Sequence, residues 1–417
     1  RDVTMALARF LQISDLHLGR PFAWLPPDRR DLRRRDQQYA LEQAIKHAIE
    51  HDVHAILVPG DLFDGVPVDT GSLTFAVRAF SVPGCPPVFI APGNHDPASN
   101  DNAAWNSRLQ QARGTHWPSH VHVFDSPRWS AVPLATVPGV RVWGRAFLTS
   151  SGTMDRPLAK SALEGTYTSE PGMLDVAVFH GSREGRCPPA QKITAPFSDA
   201  EVVASPFAYH AVGHYHQRSE IEQPAGGSAP VQGVRLAYAG SPVALDYTEP
   251  GEHGAAQIVM RFDDSQCNVS AEYIKLDRRR VLSAQADVTS CASPEQVDRR
   301  ILHALAAAGV SENDFTRLTL IGRLLPGVRW TSPGSDVFAR AFHVRWDRSA
   351  VRPDHDLDAI RKSEGRTTEE RFALEILKQM DAESDAEQRV VLERALYYGL
   401  DAFRVREVLP QWEEVAE

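Results

Sequence analysis

Short apolar runs that end in polar residues constrain this chain more than any other feature. Five such runs are typical of buried strands, and they occupy residues 10–13, 55–58, 88–91, 174–179 and 208–212. Between the first two, residues 36–51 repeat apolar side chains at helical spacing. The order strand, helix, strand predicts βαβ units and a largely parallel sheet covered by helices on both faces.

Each run is followed by residue types that bind metals. The following motifs are SDLH at 14–17, GD at 60–61, GNHD at 93–96, His180, and GHYH at 213–216. Because the carboxyl ends of parallel strands share one edge of a sheet, we expect these side chains to meet there. Carboxylate and amide oxygens mixed with imidazoles suit Mn, Fe or Zn better than Ca or a thiolate-bound metal.

Asp61 has two interpretations. Taken alone, an Asp after a strand is typical of an N-cap for a following helix. With four other motifs at strand ends, we interpret it as a ligand whose two oxygens bridge two cations. Two ions about 3.5–4 Å apart clamp a phosphoryl group and activate water. Asp64, which precedes a glycine, is interpreted as a turn residue.

The ordered series DLH, GDLFD, GNHD, H and GHYH resembles the calcineurin-like metallophosphoesterase superfamily, and within it the SbcD-type, meiotic-recombination-eleven-like DNA repair exonucleases. The resemblance spans roughly residues 8–350 and includes YAGSPVALDYTEPGEHG at 238–254. It implies an α/β fold: a sandwich of two β-sheets flanked by helices, with a small α/β capping domain and a helical C-terminal segment. Protein phosphatases differ, since they carry GNHE and the arginine of GDxVDRG.

The resemblance also implies a role for each motif residue. One metal would be held by Asp15, His17, Asp61 and His216, and the other by Asp61, Asn94, His180 and His214. His95 would not be a ligand but a proton donor or phosphate-orienting group, and Asp96 would orient His95. The implied cofactors are two divalent ions, with Mn as the first choice and Fe or Zn as alternatives.

The pattern divides the chain into a metallophosphoesterase domain (1–275), a capping domain (276–350) and a helical segment (351–417). Within the second, Ser293 with Pro294 and Gln296 predicts a helix start. The helical segment carries −7 of the net charge of −9. The resemblance implies that it docks on an SbcC-type, SMC-like ATPase. Its apolar stripes fit helix-in-groove binding and ordinary core packing equally.

The arginine-rich stretch 28–35 also has two interpretations. It is either a loop that contacts phosphates or the solvated start of a helix. On the first interpretation, Arg33 and Arg34 of this stretch contact DNA, and Arg20, which follows the first motif, is also a predicted DNA contact. Residues 221–233 are rich in Gly and Pro and predict a loop. The histidines of THWPSHVH at 115–122 are interpreted as structural or surface residues.

Charge, hydropathy and cysteine content limit the possible partners and cellular location. A net charge of −9 does not indicate a nucleic-acid binder, and it does not exclude one, because metals and local arginines supply positive charge. No apolar run approaches the ~20 residues that cross a bilayer. The four cysteines are scattered, which argues against a disulfide framework. We therefore expect a cytoplasmic, nucleoid-associated protein without a membrane partner.

The predicted function is that of a dimetal DNA nuclease in double-strand-break repair or end processing. It would act as an exonuclease, with endonuclease activity left open. The predicted partners are DNA ends, the SbcC-type ATPase and a second copy of the chain. The alternatives are a phosphodiesterase for small or cyclic nucleotides and a non-catalytic scaffold subunit.

Overall fold

The protein is represented by a computed structural model, which describes residues 6–99, 101–188, 191–222, 231–263, 266–325 and 328–405. Contacts between Cα atoms divide the chain into two compact units, Arg1–Arg280 and Val281–Glu417. Residues 223–230 of the predicted loop and 406–417 of the predicted helical segment lie outside the described residues. The finer division at 275 and 350 stays a prediction.

The first unit alternates strands and helices. Its described strands are β1 (Ala6–Gln12), β2 (Ala55–Val58), β3 (Val88–Ile90), β4 (Val121–Val123), β5 (Ser130–Pro133), β6 (Val140–Gly144), β7 (Leu174–His180), β8 (Tyr209–Gly213), β9 (Ser219–Glu222), β10 (Val231–Tyr238), β11 (Gly254–Phe262) and β12 (Cys267–Lys275). Its described helices are α1 (Pro27–Glu50), α2 (Thr70–Phe80), α3 (Ser107–Ala112), α4 (Lys160–Leu163) and α5 (Asp199–Ala204). The five apolar runs all lie at strands.

The strands form one twelve-stranded sheet. Its order is β4-β3-β2-β1-β11-β12-β10-β8-β7-β6-β5, and β9 pairs with β10. Strands β1 to β4 are parallel, and so are β6, β7, β8 and β10. Buried side chains from both parallel halves share one hydrophobic cluster. The predicted α/β fold with flanking helices is confirmed, and hydrogen bonds between β10 and β12 join the two expected sheets.

Gln12 ties the two parallel halves together at the carboxyl end of β1. Its side chain is fully buried and donates from Nε2 to the carbonyls of Val212 at 3.0 Å and Ala237 at 2.8 Å. Its Oε1 accepts the hydroxyl of Tyr209 at 2.5 Å. A buried amide needs such partners, because an unsatisfied polar group costs about 1–3 kcal/mol. The carboxyl ends of β1 and β8 are thereby fixed near each other.

The second unit is a small α/β structure followed by helices. Its described strands, β13 (Val281–Asp287), β14 (Phe315–Leu324) and β15 (His343–Pro353), are parallel and lie in that order. Its described helices are α6 (Pro294–Ala307), α7 (Ser335–Ala339), α8 (Leu357–Arg361), α9 (Thr368–Ala382) and α10 (Ala386–Val405). Ser293 caps α6, as predicted. Within the described residues, no helix has the length and apolar character needed to span a membrane.

Helix α1 corrects one sequence expectation. It begins at Pro27 rather than near residue 36, so the arginine-rich stretch is the start of a helix. Pro is compatible with the first helical turn, because the amide hydrogen that it lacks has no partner there. Charged side chains hide the helical period in this stretch, which is why apolar spacing alone misplaced the start.

Arg33 is fully buried, so the predicted DNA contact for this residue is wrong. Its guanidinium makes two hydrogen bonds to Asp277, at 2.8 and 2.7 Å, and one to Asp36 at 3.3 Å. It also donates to the Ala244 carbonyl at 2.7 Å. The charge therefore ties α1 to the segment after β12. Arg34 is exposed and pairs with Asp31, and its predicted DNA contact stays a prediction.

We expect Asp277→Asn to destabilise the protein. The change leaves the buried Arg33 charge without its main counter-ion, which costs about 3–5 kcal/mol when a buried pair is broken. The free energy of unfolding from urea titration measures this loss. Asp31→Asn, which removes the partner of the exposed Arg34, is the matched control and should leave that free energy unchanged. Equal effects of the two substitutions would contradict the assignment.

The same pair predicts a pH dependence. Burial raises the pKa of Asp277, but the Arg33 charge and hydrogen bonds lower it more, so the net pKa lies below its usual value. A carboxylate with a lowered folded pKa stabilises the protein above its unfolded pKa, and that contribution disappears as the pH falls through the folded pKa. The stability gap between wild type and Asp277→Asn should therefore shrink only below about pH 4.

Candidate metal centre

The polar motifs meet at the carboxyl ends of the parallel strands, and their backbone there is strained. Asp15, His17, Asp61 and His214 have φ angles of 53°, 49°, 52° and 110°. Such conformations cost about 1–3 kcal/mol each and persist only where the surroundings hold them. The loop after β1 is fastened to the loop after β2, since Asp15 N donates to Gly60 O at 3.1 Å and His17 N to Asp61 O at 2.9 Å.

Two glycines in the motifs permit close approach of the site residues. Gly60 has a φ of 96°, and a Cβ at this position would collide with the His180 ring. A Cβ on Gly93 would collide with the Asp61 carboxylate. Packing within the site therefore requires glycine at both positions, and the positive φ of the turn requires it at Gly60 as well.

Asp61 lies at the centre of the cluster. Its Oδ2 is 3.3 Å from His180 Nε2 and 3.7 Å from His17 Nε2. Its Oδ1 accepts the backbone N–H of His95 at 2.9 Å. Side-chain atoms that could ligate a metal form three overlapping groups, and within each group the atoms lie within 4.8 Å of one another. The groups are Asp15, His17 and His216; His17, Asp61 and His95; and Asp61, His180 and His214. Asp61 thus lies between two candidate cation positions.

Four imidazoles each have one nitrogen engaged by a protein oxygen. The pairs are His17 Nδ1 with Asp64 Oδ1 at 3.0 Å, His180 Nδ1 with Pro59 O at 3.0 Å, His214 Nε2 with Lys192 O at 2.7 Å, and His216 Nδ1 with Glu249 Oε1 at 2.6 Å. These oxygens only accept, so each engaged nitrogen carries the hydrogen. In the neutral ring the other nitrogen presents a lone pair, which is the tautomer that binds a metal.

Buried lone pairs in the cluster fit a bound cation. His17 Nε2 is buried and has no hydrogen-bond partner among the described residues. Asn94 Oδ1 and His180 Nε2 face each other at 3.0 Å, so a proton or a cation must lie between these two acceptors. Carboxylate oxygens and imidazole nitrogens are a donor set for divalent Mn, Fe or Zn. The residues present therefore fit the implied metals.

Burial and neighbouring charges shift the pKa values of the histidines in the cluster in opposite directions. Burial lowers the pKa of His17, and it lowers the pKa of His214 to about 3, so both rings stay neutral and able to coordinate. Burial also lowers the pKa of His180, but the charges of Asp61 and Asp15 outweigh it and raise that pKa to about 9. The potential that favours a proton on His180 favours a divalent cation in the same place.

His95 is exposed at the edge of the cluster. Its Nδ1 lies 3.2 Å from the Asp64 carbonyl, and its ring centroid lies 4.7 Å from that of His17. The carbonyl accepts the Nδ1 hydrogen, which orients the ring. Because its donor atoms also lie near Asp61, geometry alone would permit a ligand. The predicted non-ligand role of His95 stays a prediction.

Asp96 has contacts that differ from those expected. Its buried carboxylate accepts the backbone N–H groups of Asp61, Leu62, Phe63 and Gly93 at 3.2, 2.9, 3.2 and 2.8 Å. The predicted task, orienting the His95 ring, does not fit these bonds. Asp96 instead fastens the loop after β3 to the loop after β2. Burial and the Asp61 charge raise the pKa of Asp96, and the backbone donors oppose that rise.

Two supporting carboxylates escaped the sequence analysis. Asp64, expected only to form a turn, accepts His17 Nδ1 and also Arg20 Nη1 at 3.0 Å. Glu249 accepts His216 Nδ1 and the backbone N–H of Leu245. Burial raises the pKa of Glu249, but the hydrogen bond and charge of His216 lower it to about 2. The spacing of Asp64, three residues after Asp61, was a sequence signal for a role in the site. Glu249 gave no such signal, because it lies 33 residues from its partner His216.

A cavity of about 650 Å³ opens over the cluster. Its lining includes His17, Asp61, Asn94, His95, His214, His216, Arg20 and residues of two loops, 150–152 and 191–194. Arg20 is partly exposed in this wall and is oriented by Asp64. Its predicted contact with DNA stays a prediction.

We expect Glu249→Ala to weaken metal binding about 10- to 100-fold, because loss of a carboxylate that orients a ligating histidine has effects of that size. Calorimetric titration with Mn²⁺ measures the affinity. Glu252→Ala is the matched control, since Glu252 is exposed and lies 3.8 Å from Arg218. Unchanged Mn²⁺ affinity of Glu249→Ala would show that His216 does not depend on this carboxylate.

Comparisons with solved structures give low overall similarity. TT1561 of Thermus thermophilus is 12% identical, with a TM-score of 0.35, and the match covers 63% of this chain and 98% of that one. The calcineurin-like phosphoesterase YfkN of Bacillus subtilis is also 12% identical, with a TM-score of 0.37, and the match covers 73% and 98%.

The amino-acid sequence matches one curated relative and one family model. The uncharacterized metallophosphoesterase YhaO of Bacillus subtilis (strain 168) is 25% identical over 263 residues, which are 59% of this chain and 55% of YhaO. The match therefore spans about half the length of this curated relative. The family model described as calcineurin-like phosphoesterase matches residues 8–217, half of the chain and the whole stretch that holds the cluster. The predicted enzyme class, a metal-dependent phosphoester hydrolase, agrees with this match, and the chain belongs to the calcineurin-like phosphoesterase family.

Proposed function

We propose that this chain is a DNA nuclease of the SbcD type that hydrolyses phosphodiester bonds with two divalent ions, Mn in the first place. The observation that carries the proposal is the position of Asp61. Its carboxylate lies between His17 and His180 at the floor of an open cavity. Nitrogen and oxygen donors therefore lie on both sides of one carboxylate, which supports a pair of cations.

The chain's own residues supply binding and proton transfer. The metals would be held by Asp15, His17, Asp61 and His216 and by Asp61, Asn94, His180 and His214. Divalent ions there supply Lewis-acid neutralisation of phosphoryl charge. His95 is held through Nδ1 by the Asp64 carbonyl, so its Nε2 is the nitrogen that would donate a proton to the leaving oxygen, from the doubly protonated ring. Arg20, fixed by Asp64, offers a positive charge to a phosphate.

A polymeric substrate is supported over a small nucleotide by two features. The predicted capping domain and helical segment after the motif-bearing domain favour a nuclease over a small-nucleotide enzyme, while the GNHD form and the missing phosphatase arginine argue against a protein phosphatase. The cavity also extends past the cluster to loops 150–152 and 191–194, where Lys192 adds a second positive charge to that of Arg20. Two positive charges can bind successive phosphates of a nucleic-acid strand.

The partner proposal concerns the second unit. Leu396 and Leu400 of α10 are buried in a cluster with α9 residues, whereas Val390, Val391 and Phe403 are 45%, 55% and 44% exposed. The exposed apolar side chains of α10 support docking of this helix in a groove of an SbcC-type, SMC-like ATPase. Pairing of two copies is also proposed, and it rests on the sequence resemblance alone.

We expect Mn²⁺-dependent cleavage of end-labelled linear DNA, double- or single-stranded, that His95→Asn lowers by about 10²–10⁴-fold, the usual effect of losing a general acid. Mn²⁺ binding by the variant should remain intact, because His95 is proposed as a proton donor and not as a ligand. Gel assays of cleavage and calorimetric titration of Mn²⁺ measure the two quantities. His116→Asn, at an exposed histidine outside the cluster, is the matched control.

The outcomes separate the alternatives. If His95→Asn lost Mn²⁺ binding together with cleavage, His95 would be a ligand. Cleavage of a chromogenic phosphodiester without cleavage of DNA would favour the small-nucleotide phosphodiesterase. Absence of Mn²⁺ binding by the wild type would favour the scaffold subunit.

A further inference from the structure

An apolar side chain in the cavity wall has no task in the proposed chemistry. Ile193 is 57% exposed and lines the cavity between Lys192 and Thr194. Single exposed apolar residues are common on protein surfaces and need no explanation. Ile193 differs because it lies in the wall of the cavity that contains the cluster.

The backbone on both sides of Ile193 is anchored to the site. The carbonyl of Lys192 accepts His214 Nε2 at 2.7 Å, and Gln191 Nε2 donates to the carbonyl of His214 at 2.9 Å. On the other side, Thr194 N donates to Ser182 Oγ at 2.9 Å. The position of Ile193 is therefore coupled to that of a candidate ligand, and its β-branched side chain has few rotamers.

A second loop adds apolar surface beside this wall. Thr153 N donates to Thr194 Oγ1 at 3.0 Å, which joins the loop around residues 148–154 to the segment that carries Ile193. Leu148 and Met154 of that loop are 41% and 68% exposed. The cavity thus combines the charges of Arg20 and Lys192 and the candidate cation sites with the apolar side chain of Ile193.

We propose that Ile193 determines the substrate class, by packing against the nucleobase next to the scissile phosphate and so favouring unpaired strands over duplex. The inference rests on the proposed nuclease function. In a duplex the bases are stacked and paired inside, so the phosphates reach the cluster while the base faces stay covered. An unpaired base exposes a face, and aliphatic side chains such as Ile contact bases that are unstacked.

The charges around Ile193 agree with this assignment. Arg20 and Lys192 line the same cavity and are suited to phosphates, which repeat along the strand. Neither charge distinguishes a paired from an unpaired nucleotide. A group that meets the base itself can distinguish them, and Ile193 is the large exposed apolar residue of the described cavity lining.

The test compares two single-stranded substrates with the same phosphate backbone. One is oligothymidylate, and the other is an oligomer of equal length in which tetrahydrofuran residues replace every nucleoside. Ile193→Ser should lower kcat/KM for oligothymidylate about tenfold, the effect of losing an apolar contact of this size, and leave kcat/KM for the abasic oligomer unchanged. Ile193→Leu should retain the preference, and Val203→Ser, at an exposed residue of α5, is the matched control.

Each result has a distinct meaning. Equal losses on both substrates would show that Ile193 only supports the loop, and an unchanged kcat/KM for oligothymidylate would show that it touches no base. Either result overturns the inference and leaves the proposed nuclease intact. If the wild type cleaves neither oligomer and no duplex DNA, the proposed nuclease function fails, and the inference fails with it.

Discussion

A buried carboxylate among imidazoles is the constraint on which the rest of this structure depends. Asp61 is 2% exposed, and removal of its charge from water is costly unless a cation or several donors compensate. His17 and His180 approach its Oδ2, and His95 N bonds to its Oδ1. Burial of Asp61 is compatible with stability because the loops around it converge in this way.

Backbone strain at the site is the consequence of that convergence. Asp15, His17 and Asp61 adopt left-handed conformations because their side chains must point toward one small volume from the ends of neighbouring strands. Gly60 and Gly93 remove the Cβ atoms that would collide with site side chains. Asp96 then fixes the loops through four backbone N–H groups. The strain at the site and the contacts that support it therefore come from the residues that form the site.

Particular residues show how far the sequence leads. The apolar runs and the polar residues after them predicted strands, their shared edge and the clustering of donors, because strand period and the geometry of parallel sheets are local and general rules. The roles predicted for Arg33, a DNA contact, and for Asp96, orientation of His95, differ from the contacts that these residues make. Arg33 looked like a surface charge because Asp277, its partner, lies 244 residues away. Asp96 seemed to serve the neighbouring His95, whereas its carboxylate bonds to the backbone across the loop.

The sequence by itself determined the class of fold, the family and the candidate metal-ligating residues, since each depends on residue type and spacing along the chain. The tertiary structure alone decided which nitrogen of each histidine carries its hydrogen, because the partners come from Asp64, Pro59, Lys192 and Glu249 on separate segments. It alone placed Ile193 in the wall of the cavity. Hydrogen-bond direction and exposure depend on contacts between distant segments, and those contacts exist only after the chain has folded.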